Sequence, residues 1–126
     1  MTPSLPLKQF VRGGNAVFTL KSLKTNKHFT FKARQRDTAK PVFVSVLTDS
    51  GFEFLGVIDG DHYRTGMRSK FRETLQAQTF EWFWRHADAL PSTCEFHHEG
   101  RCCTCGRRLT TPESLALGQG PDCASR

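Results

Sequence analysis

The sequence predicts an α+β fold. An antiparallel four- to five-stranded meander packs against one amphipathic helix, and a cysteine-rich module follows at the C-terminal end. Three observations carry this. Short runs of alternating apolar and polar residues fill the first two thirds of the chain, separated by turn residues. A single stretch with helical periodicity, 73–87, follows them. Four of the five cysteines then fall between Cys102 and Cys123. We expect residues 1–90 to hold the sheet and helix, and residues 91–126 to form the module packed on it.

Residues 1–14 hold two prolines and end in Gly13-Gly14, which reads as an extended arm. From Ala16 to Leu23, Phe18 and Leu20 share one face of a strand and Thr19 and Lys21 the other. Residues 24–27 are a hairpin connection. His28 to Arg34 alternates more cleanly, with Phe29, Phe31 and Ala33 on one side and His28, Thr30, Lys32 and Arg34 on the other. One face of this hairpin is therefore a basic stripe. Val42 to Thr48 is β-branched and apolar on both faces, the pattern of a strand in the middle of a sheet. Asp49-Ser50-Gly51 turns the chain into a partner strand, 52–58. Asp59-Gly60 turns it again into a short strand, 61–65. Residues 66–72 are a basic connection, in which Ser69 reads as loop rather than as a phosphate contact.

In the helix, Phe80, Phe83, Trp84 and Ala87 recur at i, i+3, i+4 and i+7 and form the stripe that meets the sheet. Trp82 lies off that stripe. It is a candidate contact residue, as a stacking platform or an interface anchor, against the plainer reading that it packs on the C-terminal module. Leu90-Pro91 closes the helical region, and Ser92 to Phe96 runs extended. Thr111 caps a short helix opened by Pro112 and closed by Gly118.

Cys102 and Cys105 form a C-x-x-C, which turns two sulfurs toward one metal ion, and Gly106 supplies the permissive backbone of a knuckle. Pro121 after Gly-Gln-Gly starts a helix and places Cys123 in its first turn, where the helix dipole favours a thiolate. Three sulfurs so placed point to structural zinc in a zinc-knuckle or treble-clef-like module, rather than to a disulfide or a reactive cysteine. His98 is the preferred fourth ligand. His97 and Cys94 are alternatives, and Cys103 is disfavoured because adjacent residues rarely ligate one ion.

The run from His98 to Cys123, HEGRCCTCGRRLTTPESLALGQGPDC, resembles a short zinc-finger-like domain of unknown function found in proteins of bacteriophages, prophages and plasmids. The resemblance implies the ligand set His98, Cys102, Cys105 and Cys123. It also extends upstream through Phe10, residues 14–20, 29–31, 43–47 and 54–56, and Phe80 to Trp84. One departure is Cys103, where a small residue is usual. The resemblance implies a mobile-element setting and no particular biochemical activity.

The formal net charge is +6, unevenly spread. In the first forty residues, cations that include Lys21, Lys24, Lys27, Lys32 and Arg34 face only Asp37. Arg64, Arg68 and Lys70 form a second cluster, and Arg101, Arg107 and Arg108 surround the knuckle. Such asymmetry fits nucleic acid or an acidic protein surface as partner, beside the plain reading of a solvated basic face.

Catalytic signatures are missing. A ββα-metal nuclease needs a further His or Asn after the strands, and the chain has neither beyond His98. There is no phosphate-binding glycine loop, no nucleophile elbow and no complete H-x-E…P-C-x-x-C zinc deaminase signature, since Arg101 rather than a proline precedes Cys102. No apolar run is long enough to cross a bilayer, and no signal peptide is apparent. We therefore expect a non-enzymatic, cytoplasmic protein of a bacterial host cell. Its expected role is that of a zinc-stapled accessory protein of a phage or mobile element, binding nucleic acid through its basic face. The alternative is a protein-interaction module that inhibits a host defence system in the manner of an anti-CRISPR protein. A metal-dependent nuclease is a distant third.

Overall fold

The computed structural model describes residues 2–125; Met1 and Arg126, the outer ends of the expected arm and module, lie outside the described residues. The chain runs α1 (Leu7–Val11), β1 (Asn15–Ser22), β2 (His28–Arg34), β3 (Val42–Thr48), β4 (Gly51–Asp59), β5 (His62–Thr65), α2 (Leu75–His86), β6 (Cys94–His98), α3 (Pro112–Leu117) and α4 (Pro121–Ala124). The sheet is antiparallel with strand order β5-β4-β3-β2-β1-β6. It therefore has six strands, more than the four or five expected. The first five are the meander read from the alternation. The sixth comes from the C-terminal third of the chain and pairs with β1, from Phe18↔His98 to Ser22↔Cys94. It escaped notice as a strand because it is five residues long and carries one large apolar side chain, Phe96.

The inner face of the sheet is a phenylalanine core. Phe18 stacks on Phe96 at 4.8 Å and lies 5.9 Å from both Phe31 and Phe83. Helix α2 covers this face with Ala77, Phe80, Phe83 and Trp84 buried, the stripe that the periodicity marked. It begins at Leu75 rather than Glu73, because Thr74 stays extended and caps the helix by accepting the Ala77 N–H. Ser69 is loop, as expected: its hydroxyl donates to the Phe54 carbonyl and accepts the Phe71 N–H.

The N-terminal arm is a correction. It is not extended throughout: five residues form α1, and Phe10 and Val11 are fully buried. A single turn is too short to show a helical period, so its sequence reads as irregular. The second face of β3 is another surprise. Both faces are apolar, as expected of a central strand, yet Phe43 and Leu47 stand 44% and 47% exposed. Among the described residues, no helix is long and apolar enough to cross a membrane.

Candidate metal centre and basic face

Residues 100–109 fold into a miniature hairpin. The Cys102 N–H donates to the Arg107 carbonyl at 2.8 Å, the Leu109 N–H to the Gly100 carbonyl at 2.7 Å, and Arg101 bridges Arg108. Gly106 sits at φ 78°, a left-handed conformation that returns its N–H to the Cys102 carbonyl. The second half of the site is built by caps. Thr111 accepts the Ser114 N–H, and Gly118 at φ 86° closes α3 by donating to the Ser114 carbonyl. Gly120 then caps α4, so that Cys123 lies in its first turn.

The result is a cluster in which the sulfurs of Cys102, Cys105 and Cys123 lie within 4.8 Å of one another. Backbone amides converge on one of them. The Thr104 and Cys105 N–H groups point at Cys102 Sγ at 3.4 and 3.5 Å, and the Gly120 amide adds a third contact. Burial pushes the Cys102 thiol up, but these amides outweigh it and bring it down to about 7. Donors aimed at sulfur stabilise a thiolate, the form that a metal binds. Cys123 is instead raised to about 11, by burial and by the neighbouring Cys102 and Cys105 sulfurs. Its position at the helix start does not offset three crowded thiols; a cation among them reverses that balance. The donor set fits a thiophilic ion such as zinc.

His98 is not brought to this cluster. It ends β6 on the same inward face as Phe96, buried beside the Phe10 ring. Both ring nitrogens are engaged: Nε2 with the Leu115 carbonyl at 2.9 Å, and Nδ1 accepting the Gly100 N–H at 3.0 Å. Burial lowers its pKa, while the Leu115 carbonyl opposes the shift. In this geometry His98 clasps the knuckle and α3 to the sheet. His97 faces the other way, 3.2 Å from Glu95. Cys94 lies at the far end of β6 beside Trp82. Cys103 points away from Cys102 into the core, where a Cβ on Gly13 would come within 2.7 Å of its sulfur. Its backbone carbonyl accepts the Asn15 N–H at 2.7 Å and thereby ties the knuckle to β1. Burial raises its thiol to about 11. Asp122, Ser114 and Thr111 line a cavity of about 430 Å³ together with the three clustered cysteines.

The expected contact residues occupy three places. Lys21, Lys32, Arg34 and Arg64 share the outer face of the sheet, as the register pairs Lys21↔His28, Lys32↔Ser45, Arg34↔Phe43 and Val57↔Arg64 show. Lys24 and Lys27 are exposed at the β1–β2 hairpin tip, and Arg68 and Lys70 are exposed in the loop before α2. Lys70 pairs with Glu53. Arg101, Arg107 and Arg108 are exposed on the knuckle. Trp82 is half-buried and stacks on His86 at 4.7 Å. It lines a groove of about 570 Å³ with Leu20, Phe29, Leu75 and Cys94. The sequence reading missed three exposed rings, Phe43, Phe52 and Phe54. The alternation held the signal, since each lies on the same face as a basic residue of β2.

Fold and site together define an α+β protein whose C-terminal end carries a three-cysteine cluster able to hold a metal ion. Residues 93–126, from just before β6 onward, match a family of unknown function (DUF6011). Among curated proteins and solved structures there is no match.

Proposed function

We propose that the chain is a non-enzymatic protein, stapled at its C-terminal end by zinc, that binds nucleic acid through its basic face. The observation that carries this reading is that Lys21, Lys32, Arg34 and Arg64 share the side of the sheet opposite α2. Cations fixed on one face by strand register meet phosphates without reorganising the backbone, and they displace condensed counterions on contact. The zinc holds residues 100–123 as one unit, with the fourth donor supplied by His98 after rearrangement, by the cavity lining or by solvent. A role as accessory protein of a phage or mobile element rests on the resemblance of the run from His98 to Cys123.

A salt titration tests the nucleic-acid reading. Affinity for DNA or RNA should fall with salt, by a log–log slope of about −0.9 per duplex phosphate contacted and about −0.7 for single strands. Changing Lys27 and Lys32 together to Ala should shrink the slope by about two phosphate contacts. A binding curve flat from low to high salt defeats the proposal.

The groove beside Trp82 favours a second reading, a protein-interaction module that inhibits a host defence complex. A half-buried indole in an apolar groove rimmed by Lys24 and Lys27 is the kind of anchor such an interface uses. Under that reading Trp82→Ala is the damaging change, and the salt dependence is mild.

A further inference from the structure

Phe43, Phe52 and Phe54 stand 44%, 40% and 42% exposed on one face of two adjacent strands. A lone exposed ring needs no explanation, but three clustered rings do. The register places them together: Phe52 opposes Leu47, Phe54 opposes Ser45, and the Phe43 and Phe54 ring centroids are 6.2 Å apart. Cations are interleaved with the rings. Lys32 Nζ lies 5.6 Å from the Phe52 ring centroid, and Arg34 is the cross-strand neighbour of Phe43. On the far side, Arg64 pairs with Val57, itself opposite Phe43. Arg36 and Lys40 complete a shallow depression of about 590 Å³ over Phe43 and Phe52. Asp37 is the acid on its lining, and its Oδ1 accepts the Ala39 N–H.

We propose that this face binds single-stranded nucleic acid, with unpaired bases stacked on Phe43, Phe52 and Phe54 and the phosphates following Lys32, Arg34 and Arg64. The proposal rests on the nucleic-acid reading above and narrows it to one form of strand. A nucleotide chain offers one flat ring and one negative charge per unit, and this surface alternates flat rings with positive charges. Base–aromatic stacking is tolerant of sequence, because every base has a π-face. A duplex hides those faces inside its own stack, so its phosphates would lie against apolar rings with nothing gained. A second copy of the chain would bring a like-charged face, which repels at the same short range.

The test is fluorescence anisotropy of the zinc-loaded full chain with a labelled oligothymidylate and with a mixed-sequence duplex of the same length, both at low salt. The single strand should bind more tightly than the duplex. Phe43→Leu and Phe54→Leu keep apolar volume in the strands but remove the π-face. Each should weaken single-strand binding by about 5- to 100-fold while leaving duplex binding unchanged. Phe43→Tyr should retain single-strand binding, and circular dichroism establishes that every variant is folded. If the duplex binds as tightly and the Leu variants change nothing while Lys32→Ala still weakens binding, stacking is overturned and the basic-face reading stands. Binding of neither form overturns both. Self-association or capture of an acidic protein, abolished by Phe43→Leu without any nucleic-acid binding, overturns both in favour of a protein interface.

Discussion

Replacing Phe10 with Ala should destabilise the whole protein, sheet and C-terminal module alike. The ring is fully buried. It meets Phe96 edge-on at 5.5 Å, Phe18 at 6.5 Å and His98 at 5.7 Å, so it touches β1, β6 and the clasp at once. Its far edge abuts Gly118, where an added Cβ would lie 2.8 Å from Phe10 Cε2. Removing a fully buried phenyl costs about 3–5 kcal/mol, through lost transfer energy and the cavity left behind. The upper half of that range applies here, since edge-to-face partners add about 0.5–1.5 kcal/mol each and the surrounding strands are hydrogen-bonded in place. For a chain of this length the melting temperature should drop by about 10–20 °C. The assay is urea unfolding of the zinc-loaded protein, followed by circular dichroism and tryptophan fluorescence. The midpoint should fall at constant slope, and the two probes should move together. A loss below about 0.5 kcal/mol, the usual size of a surface change, would refute the reasoning. Phe10 would then belong to a peripheral extended arm, as residues 1–14 read from sequence.

Elemental analysis should find one zinc ion per chain, lost in Cys105→Ser and Cys123→Ser. His98→Gln should keep the ion but lower stability, because the imidazole clasps backbone groups; loss of the ion from a folded His98→Gln protein would make His98 a ligand, and a Cys102–Cys105 disulfide in fresh protein would end the metal reading. Tyr63 is the one tyrosine, so its phenolate absorbance is unambiguous. Burial raises it to about 12, with the Glu81 charge adding and the Thr65 hydroxyl opposing. The unfolded chain gives up this proton near its ordinary value of about 10, so stability falls as pH rises from there to about 12. A native-state titration at the ordinary value would contradict that burial.

Much of the fold was legible because its elements repeat a period long enough to register. Strands β2 and β3 begin and end where the alternation does, and α3 carries its cap, its proline and its closing glycine in the sequence. The rest depends on partners far away along the chain. Segment 94–98 becomes a strand only because β1 offers an unpaired edge. The three sulfurs were readable from a knuckle spacing and a helix start. The direction of His98 was not weighed, although strand parity with Phe96 turns it inward. Cys103 shares its backbone with Cys102 yet faces the core, a matter of side-chain direction that spacing does not encode. The exposure of Phe43, Phe52 and Phe54 was hidden for a different reason. An apolar residue reads as buried unless something shows that no layer covers it.

Strand β6 also sets an order of assembly. As the chain leaves the ribosome, β1 to β5 emerge first and can zip into a meander through local turns. The outer edge of β1 then waits, with its amides and carbonyls unpaired, until residues 94–98 arrive. Closing so long a loop is entropically costly and slow. During that interval the nascent protein presents a bare strand edge beside an incompletely covered Phe18, the combination that promotes edge-to-edge aggregation. Cys102, Cys105 and Cys123 follow β6 off the ribosome, so an ion bound there would be captured last and would lock a strand pairing that has just formed. Metal starvation should thus lower the yield of soluble protein during synthesis more than it lowers the stability of protein already folded.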